Sequence, residues 1–522
     1  MAVTTADESL FVIDAVALRV GFFSLVLVYN VATVVYNLWL SPLASIPGPW
    51  YAAASDAWFL FQSARLAKCG ALHQLFERYG PVVRVGPRKV VFLDERAART
   101  VYCVNKLEKS AFYKMLVIED QDHSMTMLSE ADHSARRKTY AAHYSPSNVP
   151  KFQSEVYDCV ARLVDALEKC STTGSVDAIH LLRHLLVDVL AITIVGSNPT
   201  ALKNWASAGD DPIATAARDV PLRAIFRAIM PTWLWRCCAY FPSSRWRALY
   251  RSETVLAAYV RDSLEELHRK QRSEGTFDGP VPLMPRLLSQ RTPKVYNFLS
   301  DQELVSECVS HLTAGVDASS TTFGFMLWEL SRRPDIVVKL RCELDGIAHD
   351  RHTLPDYAVL QKQPYLSAFL NEGLRMYGAV SSMLERVVPA REDAFDLMGH
   401  ALPPGTVVGT QAWSMHRDPT VFPSPECFDP DRWLPAPQRA DDDVRVARMQ
   451  QHLMPFGAGT RVCPGRYQAL LLARATISAL VLNFDVSADA RETNAATMAP
   501  RDTFVVRPAA MECKLTFTPR GP

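Results

Sequence analysis

Near its carboxyl end the chain reads Phe456-Gly457-Ala458-Gly459-Thr460-Arg461-Val462-Cys463-Pro464-Gly465, a glycine-rich loop that delivers one cysteine and one arginine to the start of an apolar helix. Any fold built on this loop must bring a tight backbone turn and a thiolate to one place. Gly457, Gly459 and Gly465 let the backbone turn beside a bulky planar group, and helix-start amides stabilise a thiolate in a dry pocket. Heme-thiolate ligation needs these features. Cys463 is the candidate proximal ligand to iron, a ligand type that pushes electron density into the metal and favours O–O cleavage. Arg461, two residues earlier, is placed to meet a heme propionate as a charge-assisted pair. The plainer alternative is a buried free cysteine in a glycine-rich turn, the commoner fate of this residue type.

The string resembles the heme-binding signature of the cytochrome P450 family, matching Phe-x-x-Gly-x-Arg-x-Cys-x-Gly at all five fixed positions. A second segment carries the same resemblance. In Asn371-Glu372-Gly373-Leu374-Arg375 the acid and base stand three apart on one helix face, and Phe428-Asp429-Pro430-Asp431-Arg432-Trp433 resembles the family segment that supplies another arginine. An isolated Glu-x-x-Arg would be an ordinary surface pair worth well under about 1 kcal/mol. The resemblance instead implies that Glu372, Arg375 and Arg432 form a buried ion-pair network bracing the cysteine loop. It also implies a mainly α fold with a small β region, heme b as cofactor, and Phe456, Gly457 and Gly465 among its contacts.

The 522 residues, 48% of them hydrophobic, suffice for a large core, and no repeat or long linker divides them. A net charge of +1 without a polybasic tail excludes nucleic acid as a partner. The eleven cysteines contain no Cys-x-x-Cys pair, so neither a zinc site nor a disulfide framework is signalled.

The amino end differs in kind. From Val20 to Leu40 no residue is charged, and a helix of that length spans about 31 Å, matching the roughly 30 Å hydrocarbon core of a bilayer. A transmembrane helix is expected. A cleaved signal peptide is disfavoured by Asp7 and Glu8 in a leader without lysine or arginine; a buried soluble helix is the other alternative. Residues 1–41 are therefore assigned as membrane anchor and 42–522 as the catalytic domain. The proline-rich stretch Pro42 to Trp50 resembles the hinge of membrane-bound fungal members. That resemblance implies single-pass attachment to the endoplasmic reticulum with the catalytic domain facing the cytosol.

Ser300 and Glu303 form a capping box that opens a helix running to Arg333, just before Pro334. Within it, Ala314-Gly315-Val316-Asp317-Ala318-Ser319 resembles the family's oxygen-binding stretch. Gly315 would leave room over the iron and Asp317 would feed protons; packing by small residues is the plain alternative. Most members place threonine where this chain has Ala318. Ser319 follows one step later, turned by about 100°, so its hydroxyl cannot simply replace that one in place. By the same resemblance His133 and Arg137 would hydrogen-bond a propionate from one helix face, with Arg386 as a further propionate partner. Arg136, Lys138 and Arg466 are assigned to a surface that docks an acidic reductase. Substrate walls are expected in four stretches, 112–127, 225–240, 379–383 and 499–504. Trp233, Trp235, Phe241 and Trp246, interleaved with Arg227, Arg236 and Arg245, suit either a bilayer interface or a core helix.

The reading is a heme-thiolate monooxygenase that inserts one atom of dioxygen into a lipophilic molecule. Its electrons would come from NADPH through a separate NADPH-cytochrome P450 reductase. The fungal-looking segments suggest specialised metabolism, of a polyketide or terpenoid. The alternatives are a reductase-independent isomerase or dehydratase, favoured by Ala318, and a non-catalytic heme sensor.

Overall fold

A computed structural model of the chain describes residues 6–170, 174–207, 210–273, 280–289, 299–390, 393–435 and 442–521. Helix α1, Ala6–Val35, continues through a wider helical turn at Tyr36–Leu40 and stops at Ser41, ahead of Pro42. The stretch Ala17–Leu40 is apolar enough to cross a bilayer and its side chains meet almost no protein. Leu18, Phe23, Leu27 and Tyr29 all stand exposed. An equally apolar helix further on, Ala178–Val195, is 89% buried and belongs to the core. Exposure rather than composition separates the candidate membrane span from a core helix. The last turn of the span is fastened to the body, since buried Arg84 donates to the Asn37 carbonyl at 2.8 Å and Asn37 donates to Ala54 O at 3.3 Å.

The body is mainly helical. Its elements in chain order are α2 (Glu130–Tyr140), α3 (Gln153–Cys170), α4 (Ala178–Leu190), α5 (Pro212–Ile229), α6 (Ser244–Ser273), α7 (Asp301–Arg332), α8 (Pro364–Tyr377) and α9 (Arg466–Asn483). The long helix α7, 32 residues and about 48 Å, crosses the whole domain. Its start is fixed by the capping box, with Ser300 N–H donating to Glu303 Oε2 at 2.9 Å and Glu303 N–H to Ser300 Oγ at 3.2 Å. Pro334 ends it by removing the next amide donor. Helices α3, α4, α7 and α9 pack around one apolar core that includes Leu163, Leu185, Val309, Phe325 and Leu480.

The β region is small and lies to one side. Strands β1 (Val82–Gly86), β2 (Lys89–Phe92), β3 (Arg386–Val387) and β4 (Val407–Gly409) form a sheet in the order β1-β2-β4-β3, with β2 and β4 parallel. A hairpin, β5 (Pro500–Thr503) and β6 (Val505–Pro508), turns at Phe504, whose φ of +74° is costly for a residue with a side chain.

The tryptophan-rich stretch divides. Trp233 and Phe241 are exposed, but Trp235 is buried with Cys238 and Leu249, and Trp246 packs on Phe226 with ring centroids 5.1 Å apart. Trp235 is thus a core residue, and Trp246 packs half-buried against the same small core. Trp50, Leu60 and Phe61, just after the span, are exposed as well. Removing residues 1–35, which keeps Asn37 as the partner of Arg84, is expected to release the protein from membranes on mild salt washing while preserving heme uptake. Fractionation of cell lysates checks this; full-length protein in the soluble fraction without detergent would refute the anchor.

Candidate active site

Cys463 sits where the glycine loop meets α9, and its sulfur opens into a deep cavity between α7, α9, α2 and the β3 edge. The Cys463 N–H donates to Phe456 O at 2.8 Å, closing the loop on itself. Gly459 has φ +72°, and a Cβ there would lie 2.0 Å from the Tyr102 carbonyl oxygen, so no other residue fits. Phe456, Gly457, Arg461 and Gly465 line the same cavity. Burial pushes the Cys463 thiol up, against the opposing pull of the Gly465 amide and the charges of Arg137 and Arg466. A coordinating metal cation deprotonates such a thiol outright.

One end of this cavity is strongly basic. Lys109, His133, Arg137, Arg386 and Arg461 all line it. Arg461 is held by Glu130 at 3.0 Å and by the Leu128 carbonyl at 2.7 Å, and Arg137 donates to Val462 O at 2.7 Å. The Arg386 guanidinium lies over the Tyr102 ring at 5.0 Å. His133 Nδ1 is buried without a partner, and burial together with Arg461, Lys109 and Arg137 drives that imidazole down to about 3. Burial, then Arg386 and Arg461, pushes the Lys109 ammonium well below its ordinary value. Depressed basic groups beside an unpartnered ring nitrogen form a cradle short of negative charge. Two propionates fit it. Heme is therefore consistent with the residues present, at both the sulfur and the basic end.

The central helix shows the cavity a stripe of His311, Gly315, Ala318, Ser319 and Thr322. Asp317 does not belong to it. Its carboxylate is buried on the far side, where Oδ2 accepts from Arg507 Nη2 at 2.7 Å and Oδ1 has no partner. The reason is helical rotation of about 100° per residue, which turns position 317 away whenever 315, 318 and 322 face inward. Gly315 lines the cavity and also serves helix packing. A Cβ there would meet Leu190 Cδ1 at 2.6 Å, and one at Gly324 would meet Ile179 Cγ1 at 2.3 Å, so both glycines let α4 lie close against α7.

Glu372, Arg375 and Arg432 come together below the loop. Glu372 accepts from Arg375 Nε and Nη2 at 2.8 Å each, from Arg432 Nε and Trp433 Nε1 at 3.0 Å, and from Asp429 N–H at 2.9 Å. Sequence reasoning missed the group that connects this network to the cysteine loop. His416 Nδ1–H donates to Arg375 O at 2.9 Å, and its Nε2 accepts from Met454 N–H at 2.9 Å, two residues before Phe456. Burial drives His416 down to about 3, so the ring stays neutral and keeps the acceptor that Met454 needs. Lys109 was missed too, because nothing in a lone lysine marks it as buried.

Two other expectations need correction. Arg136 is not a docking residue: it is buried, paired to Glu303 at 2.8 Å and Glu307 at 3.0 Å, while Lys138 and Arg466 do stand exposed. Tyr113, Ser124, Met125, Ala379, Val380 and Phe504 line the cavity, but none of the described side chains of 225–240 reaches it. Those residues are spent on a separate small core around Trp235.

Comparison with known proteins agrees with this geometry. Tryprostatin B 6-hydroxylase of Neosartorya fischeri is 26% identical over 86% of this chain and 78% of its own length. Cytochrome P450 monooxygenase cypX of Dothistroma septosporum is 26% identical over 97% of this chain and 98% of its own. Fusicoccadiene C-8 hydroxylase of Alternaria brassicicola is 27% identical over 92% of both. Residues 57–515, the stretch that holds the cysteine loop, the basic cradle and the braced helix core, match the family profile described as Cytochrome P450, and the chain belongs to the cytochrome P450 family.

Proposed function

We propose that this cytochrome P450 is a membrane-bound monooxygenase that oxidises a lipophilic small molecule of fungal specialised metabolism, a polyketide or terpenoid. The observation that carries the reading is Cys463 facing a cavity that is basic at one end and apolar above, with Leu190, Val380, Leu384 and Phe504 in its walls. Heme b held by the Cys463 thiolate would supply the cleavage of dioxygen. The relatives named hydroxylases support oxygen insertion. Arg137, Arg386, Arg461, His133 and Lys109 hold the propionates and orient the macrocycle. Phe504 and Val380 exclude water and press the substrate toward the reacting centre. Ser319 is a hydroxyl that the central helix offers for holding a proton in the cavity. Asp317 joins it only by exchanging Arg507 for cavity water. Lys138 and Arg466 receive an NADPH-cytochrome P450 reductase on the cysteine side. Residues 1–41 anchor the chain once in the endoplasmic reticulum membrane, with residues 42–522 in the cytosol.

The test is co-expression with a reductase in yeast, feeding of polyketide and terpenoid intermediates, and labelled dioxygen. One labelled oxygen atom in a new product, with matching NADPH consumption, is expected. Ser319→Ala should lower product formed per NADPH several-fold with substrate binding intact. Asp317→Asn should lower it as well but also reduce thermal stability, because Arg507 then keeps only a neutral partner in a buried site. Ala318 favours a second reading, an isomerase or dehydratase. Turnover without NADPH would select that reading.

A further inference from the structure

The titratable group that α7 does present to the cavity is His311, one turn before Gly315. Its Nε2 lies 3.1 Å from Glu307 Oε1 and its Nδ1 2.9 Å from the Tyr144 hydroxyl. The ring stacks on Tyr144 with centroids 5.3 Å apart and meets the edge of Tyr140 at 5.0 Å. Behind it Glu307 is wholly buried and also accepts from Arg136 Nη1 at 3.0 Å, from Ser124 N–H at 3.1 Å and from the Ser124 hydroxyl. Such a chain of polar groups in the wall of an apolar chamber is expensive to bury unless every member is satisfied.

Two carboxylates, Glu303 and Glu307, face a single guanidinium, Arg136, and His311 is a further basic side chain within ion-pair reach of Glu307. Burial opposes ionisation of Glu307, yet hydrogen bonds from His311 and Ser124 and the charges of His311 and His123 hold it down at about 2. Near neutral pH the other histidines facing the cluster carry no charge, since burial drives His123 to about 4 and His143 to about 3. Tyr140 and Tyr144 are pushed up by burial and by Glu307, and the Cys463 sulfur also acts on both phenols, so the cluster lies within electrostatic reach of whatever Cys463 binds.

We propose that His311, held as an imidazolium between Glu307 and Tyr144, sets how readily a heme bound at Cys463 accepts its electron. The inference rests on the heme reading given above. Reduction brings one electron from the flavin reductase, forms and breaks no bond in the protein, and adds negative charge to the cavity. A neighbouring cation in a low-dielectric wall offsets that charge, and the proton stays on His311.

The test uses substrate-free, full-length holoenzyme in detergent, reduced stepwise with dithionite and mediator dyes at pH 6.5 and pH 8.0. At the lower pH, His311→Gln is expected to make reduction about tenfold less favourable, a one-electron shift of about 59 mV. His311→Lys should hold the wild-type potential at both. If the glutamine variant takes up no heme, the lysine variant decides alone, and a potential lowered at both values counts against the idea. A glutamine variant indistinguishable from wild type at both pH values would overturn it. Failure of the heme reading itself would look different: the wild type would then give no thiolate-type carbon monoxide spectrum.

Discussion

Cys463→Ala is expected to abolish the red-shifted carbon monoxide band of the reduced protein and all oxygen insertion. The cavity is lined by a single sulfur at its loop end, and the surrounding charge, from Arg137, Arg466 and the Gly465 amide, favours an anion at that position. Without it the macrocycle retains only its propionate contacts. Cys463→Ser should keep some heme but show an oxygen-ligated spectrum, since a hydroxyl does not supply the electron push of a thiolate. Absorbance of the reduced carbon monoxide complex and heme bound per polypeptide are the measurements. A wild-type-like band in the alanine variant would place the ligand elsewhere.

Glu372→Ala is expected to prevent accumulation of folded protein. This carboxylate accepts five hydrogen bonds, two of them from Arg375 and one from Arg432, and neither Glu372 nor Arg375 has any accessible surface. Removing it leaves two guanidiniums confined without a counter-charge, at a cost of about 3–5 kcal/mol. That is a large share of the roughly 5–15 kcal/mol by which proteins are stable. Because His416 links Arg375 to Met454, the damage should reach the cysteine loop, so heme content should fall before secondary structure does. His416→Phe, which cuts that link alone, should show the heme loss in milder form. Heme content and the thermal unfolding midpoint check both; a Glu372→Ala protein with full heme and an unchanged midpoint would contradict the bracing role.

What the sequence made legible was whatever depends on near neighbours. The glycine loop, the Glu372–Arg375 spacing and the capping box at Ser300 are local patterns, and the expected helix from 300 to 333 is the observed one to within a residue at each end. The exposed apolar span followed in the same way, and the mainly helical fold followed from the family resemblance those patterns carry. What could not be read was set by partners far along the chain. Asp317 is turned outward and claimed by Arg507, 190 positions later, and Arg136 is drawn inward by Glu307, 171 positions later. Gly315 is small because Leu190 leans on it. For Trp235 and Trp246 the choice between bilayer and core stayed open, because a helix rich in tryptophan and arginine has the same composition whether its aromatic face meets lipid or its own small core. His416 could not be read either, since its two hydrogen bonds depend on where Arg375 and Met454 end up.

The groups that would cradle the cofactor are scattered from Lys109 to Gly465, and none of the local segments that carry them encloses a chamber alone. At ribosomal rates of about 5–20 residues per second, on the order of 20–70 seconds separate the first of these groups from the last. The candidate membrane span precedes all of them. On the proposed anchoring the chain would be tethered to its bilayer long before it could hold heme, and the half-made domain would spend that interval with an open, positively charged cleft close to a membrane surface. Supply of heme late in synthesis, rather than the speed of translation, should decide how much of each batch matures.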